Sequence, residues 1–195
     1  MIAELQRQLE HIIFTDHQRR AALNTVKALN LPDWAIGAGF VRNAVWDHLH
    51  EFAVPTPLND VDVLYFNPGD IDPKREQEAE EALAEIMPSL PWSVRNQARM
   101  HLRNGDAPYT STRNAMSHWL EICTCVGVRL ASEGQFEILA PHGLGDLFAM
   151  RISPTPSGKR RHHEYETRVG QKDWPATWPK AKLVHALNTE IDSID

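Results

Sequence analysis

The heptapeptide Gly37-Ala38-Gly39-Phe40-Val41-Arg42-Asn43 constrains this chain more than any other stretch. Three small residues in a row permit a tight turn. Val41, Ala44, Val45, Leu49 and Phe52 then recur at helical spacing, so the turn opens a helix. Trp34-Ala35-Ile36 just before it reads as a short buried strand. A turn that carries a strand into a helix N-terminus offers backbone N–H groups to an anion such as a phosphate. Beyond Pro55 and Pro57, which enforce a loop, Asp60 to Phe66 alternates: Val61, Val63 and Tyr65 on one face, Asp60 and Asp62 on the other. Carboxylates two apart on a strand project from one face and can share a divalent cation. Turn and acids together point to metal-assisted chemistry on a nucleotide.

The bulk of the chain suits such a site. Its 195 residues can bury one real core, and 42% hydrophobic with 24% charged residues is ordinary for a soluble globular protein. A net charge of -6 argues against a generic nucleic-acid coat, while leaving room for a local basic patch. Met1 to Arg20 lacks the apolar core of a signal peptide, and no apolar run approaches the ~20 residues needed to span a bilayer, so a cytoplasmic protein without a membrane partner is expected. Cys123 and Cys125 are too close in sequence for an unstrained disulfide and have no second pair to make a zinc site. Reduced, packed cysteines are the expectation.

Along the chain, residues 2 to 13 and a segment capped by Asp16 read as amphipathic helices, and 74 to 87 as another. Trp92 to Leu102 reads as a strand with Trp92, Val94, Ala98, Met100 and Leu102 on one face, interrupted by Asn96. Its other face carries Arg95, Gln97, Arg99 and His101. Placed beside the aspartate strand, that wall presents cations to anionic phosphates; standing alone, it faces water. Residues 111 to 122 look helical with Trp119 buried, Val126 to Leu130 and Phe136 to Leu139 form a hairpin, and Gly143 to Met150 a short helix. After Pro154 and Pro156 the chain turns basic, with Lys159-Arg160-Arg161-His162-His163, then Trp174 and Trp178, then a final helix from Lys180. The two tryptophans read as anchors for the tail; Tyr165, Arg168 and Lys172 at helical spacing form a possible anion-contacting face. The expected organisation is a domain over 1–156 with a C-terminal extension, 157–195, packed on it. Helices and strands interleave without a regular βαβ rhythm, so the fold class is α+β with a small mixed sheet backed by helices.

Gly-Ala-Gly-Phe-Val-Arg-Asn followed by Asn59-Asp60-Val61-Asp62-Val63 resembles the nucleotidyltransferase superfamily of DNA polymerase β type. The first segment is most similar to the head domains of tRNA CCA-adding enzymes and poly(A) polymerases, with Gly-Gly-x-Val-Arg-Asp and then Asp-x-Asp. More of the chain, roughly residues 15 to 180, resembles a small bacterial family of uncharacterised nucleotidyltransferases. The matching stretches include Asn96 to His101, Val126-Gly127-Val128-Arg129 and Ile152 to Pro156. The resemblance implies transfer of a nucleoside monophosphate from a nucleoside triphosphate, ATP among them, to a hydroxyl, with release of pyrophosphate. Asp60 and Asp62 would hold two magnesium (or manganese) ions. One would activate the acceptor oxygen, the other would hold the triphosphate. The Gly37–Gly39 turn would cradle phosphates, Arg42 would neutralise charge at the helix start, and Arg95, Arg99 and His101 would be further phosphate contacts. The acceptor is an RNA end, a small molecule or a protein hydroxyl.

The departures from the pattern are Ala38 in place of a glycine, Asn43 in place of an aspartate, a longer spacing to Asp60, and no third carboxylate where one is expected. The next strand offers only Asn96 and Gln97, and Glu121 is the acid that could be supplied from elsewhere. A catalytically silent nucleotide-binding or interaction module on the same fold is the alternative.

Overall fold

In the computed structural model, which describes residues 2–131 and 133–186, a five-stranded sheet carries the site. Two N-terminal helices come first, α1 (Ile2–Thr15) and α2 (His17–Ala28). The Asp16 side chain separates them, accepting from the Arg19 amide at the mouth of α2, a cap worth about 1 kcal/mol. The central unit follows: β1 (Ala35–Gly37), α3 (Gly39–Leu49) and β2 (Val61–Tyr65). Helix α4 (Pro73–Ile86), with Asp72 as N-cap and Pro73 at its first position, crosses over to β3 (Trp92–Asn96). Short helices α5 (Met100–Asn104) and α6 (Thr112–Met116) lead to the hairpin β4 (Gly127–Leu130) and β5 (Phe136–Leu139). The last elements are α7 (Gly145–Phe148), β6 (Arg151–Ile152), α8 (Pro156–Arg160), α9 (His162–Lys172), α10 (Trp174–Thr177) and β7 (Lys182–Leu183).

The sheet order is β3-β2-β1-β4-β5. Strands β2 and β3 run parallel, as their helical crossover requires; the other pairings are antiparallel. This is the mixed sheet of the α+β expectation. One face bears Ile36, Val63, Val94 and Val128, all inaccessible, which join Leu9, Ile13, Leu23, Val26 and Val45 of the helices in the main core. The other face has only a small apolar cluster, Ala35, Leu64, Met116 and Leu139 with Trp119 against it, and is otherwise open. The same alternation that buries Val61 and Val63 therefore turns Asp62 to the open face.

Three sequence expectations change. The strand expected over Trp92–Leu102 ends at Asn96, because the Asn96 side chain takes up the backbone around it. Its Oδ1 accepts from the amides of Ala98 (3.1 Å) and Asn67 (3.0 Å), and its Nδ2 donates to the carbonyls of Asn67 and Asp70. A 3-10 turn, Gln97–Arg99, and then α5 replace the ladder. The helix expected over 111–122 stops at Met116. The Ser117 hydroxyl donates to the Asn114 carbonyl (2.6 Å), and the chain leaves to pair extended, Glu121 opposite Pro154. Trp119 is consequently half-buried at the open face rather than in the core. The helix expected from Lys180 does not form there: β7 pairs in parallel with β6, a 3-10 turn is reached only at Ala186, and the remainder of that expected helix lies outside the described residues.

The described residues after Pro156 are fastened to the rest of the chain at several points. The Tyr165 hydroxyl, fully buried, lies within hydrogen-bond distance of the carbonyls of Ile152 (2.7 Å) and Val184 (2.6 Å). Trp178 donates from Nε1 to Asp47 Oδ1 (2.8 Å), and its ring meets Trp46 edge-on at 5.3 Å. Gly158 sits so close to the Leu120 carbonyl that an added Cβ would lie 2.2 Å from the oxygen, which makes glycine obligatory there. Cys123 and Cys125 are buried thiols, and desolvation pushes the Cys123 thiol up to about 12. Among the described residues no helix is long and apolar enough to cross a membrane.

Candidate active site

The antiparallel register of β1 and β2 sets Gly37 directly opposite Asp62. The turn into α3 and the aspartate strand therefore meet at one end of the sheet. Gly37 sits in a tight place: a Cβ would lie 3.3 Å from the Val126 carbonyl just ahead of β4 and 3.4 Å from Leu64. Ala38 makes the turn at φ 52 and ψ −122, a conformation in which a Cβ is strained. Its amide donates to Val126 (3.2 Å), and its carbonyl accepts the first helical bonds from Val41 and Arg42. The amides of Gly39 and Phe40 are left without a backbone partner among the described residues, at the positive end of an eleven-residue helix.

Asp62 and Ala38 line a cavity of about 460 Å³ together with Arg95, Gln97, Glu121 and Arg168. Burial, and next the neighbouring Asp60 carboxylate, push the Asp62 carboxyl up to about 6; Arg168, Arg95 and Lys172 pull the other way. Asp60 lies just ahead of β2 and is exposed. The Asp62 carboxyl thus resists ionisation on its own, with the cations Arg168, Arg95 and Lys172 near enough to oppose that. Two hard oxygen donors in that state suit magnesium, which takes one or two carboxylates and completes its shell with waters and substrate phosphates. The donor set fits the metal.

The remaining expected residues fall into two groups. Arg95 does share the open face with Asp62, since Leu64 pairs with Arg95 and Asp62 with Ser93. It lines the cavity while its Nη1 contacts Glu80 Oε1 at 2.6 Å. Gln97, on the 3-10 turn, also reaches the cavity. Arg99 and His101 do not, because the strand that would have aimed them there has ended. Arg99 forms a two-pronged pair with the buried Glu76 (Nε–Oε1 2.8 Å, Nη2–Oε2 2.5 Å), and His101 packs edge-on to Tyr109.

Arg42 is also placed differently from its expected contact with phosphate. It follows the helix phase of Trp46 and enters a cage of Trp46, Trp174 and Trp178, its guanidinium 4.5 Å from the Trp174 ring centre. Its Nη2 donates to Asn43 Oδ1 (2.7 Å), while Nε is buried without a partner. The sum is a cation under the floor of the turn, not in the cavity.

Glu121 lines the cavity but is 1% exposed and already engaged, with Arg168 at 2.7 Å and Thr124 Oγ1 at 3.0 Å. Among the described residues no group of three or more His, Cys, Asp or Glu side chains is arranged to hold a metal ion, so Glu121 does not complete a cluster with Asp60 and Asp62. Arg161, Glu164 and Arg168 of the C-terminal extension complete the cavity wall. The sequence signals for them are the basic run after Pro156 and the helical spacing of Tyr165, Arg168 and Lys172, and nothing in local spacing says that this segment folds back over the aspartates.

A family model described as nucleotidyltransferase matches residues 24–183, most of the chain. The chain belongs to this nucleotidyltransferase family. Among solved structures it is similar to a protein whose NMR structure is described as revealing a CCA-adding enzyme head domain. The two share 32% identity and a TM-score of 0.81 over 92% of this chain and 95% of the other. It also resembles two apo forms of a tRNA-processing enzyme, each with a TM-score of 0.54 at 16% identity. Those matches cover 86% and 87% of this chain but only 46% and 44% of the larger enzyme, and show a shared fold. No curated protein matches in sequence. The mixed sheet backed by helices thus matches the fold of a nucleotidyltransferase head domain, and this nucleotidyltransferase is an enzyme by family.

Proposed function

We propose that the protein is a divalent-metal-dependent nucleotidyltransferase that moves a nucleoside monophosphate from a nucleoside triphosphate to a hydroxyl acceptor. The observation that supports this best is the pairing of Gly37 with Asp62, which brings an anion-binding helix mouth and a metal-suited acid to the same cavity. Asp60 and Asp62 are the residues that would hold magnesium or manganese. A metal bound there would activate the acceptor oxygen and screen the charge building on the leaving pyrophosphate. The free amides at the start of α3 bind phosphate oxygens, and Arg95 and Arg168 offset their charge. The closed apolar face behind Asp62 limits water to the cavity side, which strengthens each of these contacts.

The likeness to a CCA-adding head domain favours an RNA end as acceptor over a small molecule or a protein. Among the described residues no third acid stands with Asp60 and Asp62, and that is the feature that favours the second reading, a nucleotide-binding module without turnover. One experiment tests the first reading in two parts. Thermal stabilisation by each NTP with magnesium should be present in the wild type and lost in Asp60→Ala/Asp62→Ala. Labelled NTP incubated with total RNA, small molecules or protein should then yield a labelled acceptor and pyrophosphate. Stabilisation without any labelled product would favour the silent module.

A further inference from the structure

Glu121 is among the most deeply buried acids of the chain, and a carboxylate is buried at a cost of several kcal/mol unless it is paired and hydrogen-bonded. Here both oxygens are used: Oε1 accepts from Arg168 Nε at 2.7 Å, and Oε2 lies 3.0 Å from Thr124 Oγ1. The backbone beneath is pinned as well. The Ile122 amide donates to Ser153, the Thr155 amide donates to Leu120, and Gly158 packs against the Leu120 carbonyl. Arg168, in contrast, reaches in from α9 with 44% of its side chain exposed. It is held by Nε alone. Among the described residues its two terminal nitrogens have no partner, and it lines the cavity that contains Ala38 and Asp62.

A simple clasp for the C-terminal extension would not need this arrangement. The extension is already fastened by the Tyr165 hydroxyl, by Val169 in the core, by Trp178 on Asp47, and by Glu166 accepting from the Ala186 amide at 2.8 Å. A rigid, fully buried acid gripping one edge of a half-exposed guanidinium does something else. It holds a cavity-lining arginine by its Nε edge and leaves a planar two-donor fork without a partner among the described residues, the geometry that matches phosphate oxygens.

We propose that Glu121 is a positioning residue, and that Arg168, which it aims, binds the phosphate chain of the nucleotide through its two free guanidinium nitrogens. The inference rests on the nucleotide-binding reading above and assigns part of that site to the C-terminal extension. Glu121 then acts through Arg168 and not as a third metal acid.

The test is calorimetric titration of the full chain with magnesium–ATP and, without metal, with inorganic tripolyphosphate. Arg168→Lys keeps the charge but cannot both pair through Nε and present a fork. It should weaken tripolyphosphate binding about tenfold while leaving the circular dichroism spectrum unchanged. Glu121→Gln should do the same; if it fails to fold, Arg168→Lys, at a half-exposed position, still decides. Asp62→Asn separates the two readings: it should abolish the gain from magnesium and retain metal-free tripolyphosphate binding. An Arg168→Lys protein that binds tripolyphosphate like the wild type overturns the assignment, even where magnesium–ATP binding through Asp62 stands. So does a variant that loses ATP but not tripolyphosphate, since the arginine would then face the nucleoside. A wild-type protein that binds neither ligand overturns both readings.

Discussion

Replacing Asp62 by asparagine should make the metal-free protein more stable above pH 7 and leave its stability unchanged in acid. The folded protein holds the Asp62 carboxyl at about 6, against an ordinary value of 3.8, because burial and then Asp60 disfavour the charge. A group raised in this way binds its proton more tightly when folded. Its contribution to stability is therefore full below about pH 4 and is lost as pH rises through 6. At 1.36 kcal/mol per pKa unit the ceiling is about 3 kcal/mol, and partial solvent access to the pair reduces this to about 2 kcal/mol. Asparagine has the same shape and no charge to desolvate, so the variant escapes that loss. For a chain of this size the gain corresponds to about 4–8 °C in melting temperature at pH 8. Thermal melts in metal-free buffer at several pH values from 4 to 8 would read it directly. A variant no more stable than the wild type at pH 8, or one whose advantage persists undiminished at pH 4, would show that Asp62 is not held under electrostatic strain.

Other substitutions test other parts of the molecule. Magnesium should raise the melting temperature of the wild type most above pH 6, where Asp62 is ionised, and should not raise that of Asp62→Asn; equal shifts in both would place the metal elsewhere. Ala38→Gly removes a Cβ from a backbone at φ 52 and should stabilise the fold by about 1 kcal/mol, whereas Ala38→Val should destabilise it, both read in urea titrations. Gly158→Ala drives a methyl into the Leu120 carbonyl and should cost about 2–3 kcal/mol, with the cavity loosened because Glu121 is the next residue. Trp178→Ala removes the bond to Asp47 and one wall of the Arg42 cage, and should cost about 3–5 kcal/mol by the same measurement.

Much of this was legible in the chain because it depends on short-range chemistry. The small-residue turn, the helix it opens and the alternation that separates Asp62 from Val61 and Val63 follow from steric allowance and a period of two. Asp16 marks a helix start because its side-chain oxygen satisfies an amide three residues away. Spacing does not reveal that Ala38, which stands where the pattern has a glycine, sits at a positive φ. The strand after Trp92 was read too long for a related reason. Besides the local bond from the Ala98 amide, the bonds that hold Asn96 there come from Asn67 and Asp70, far away in sequence.

By itself the order of residues determined that this chain carries a helix mouth, an acid strand and an amphipathic body that buries the other side of the sheet. Tertiary structure alone decided that Arg42 lies caged among tryptophans from the tail, that Glu121 grips Arg168, and that the basic extension closes the cavity. Each of those outcomes joins segments dozens of residues apart. Which distant charge meets which acid is settled by packing and desolvation over the whole fold, and no local period encodes it.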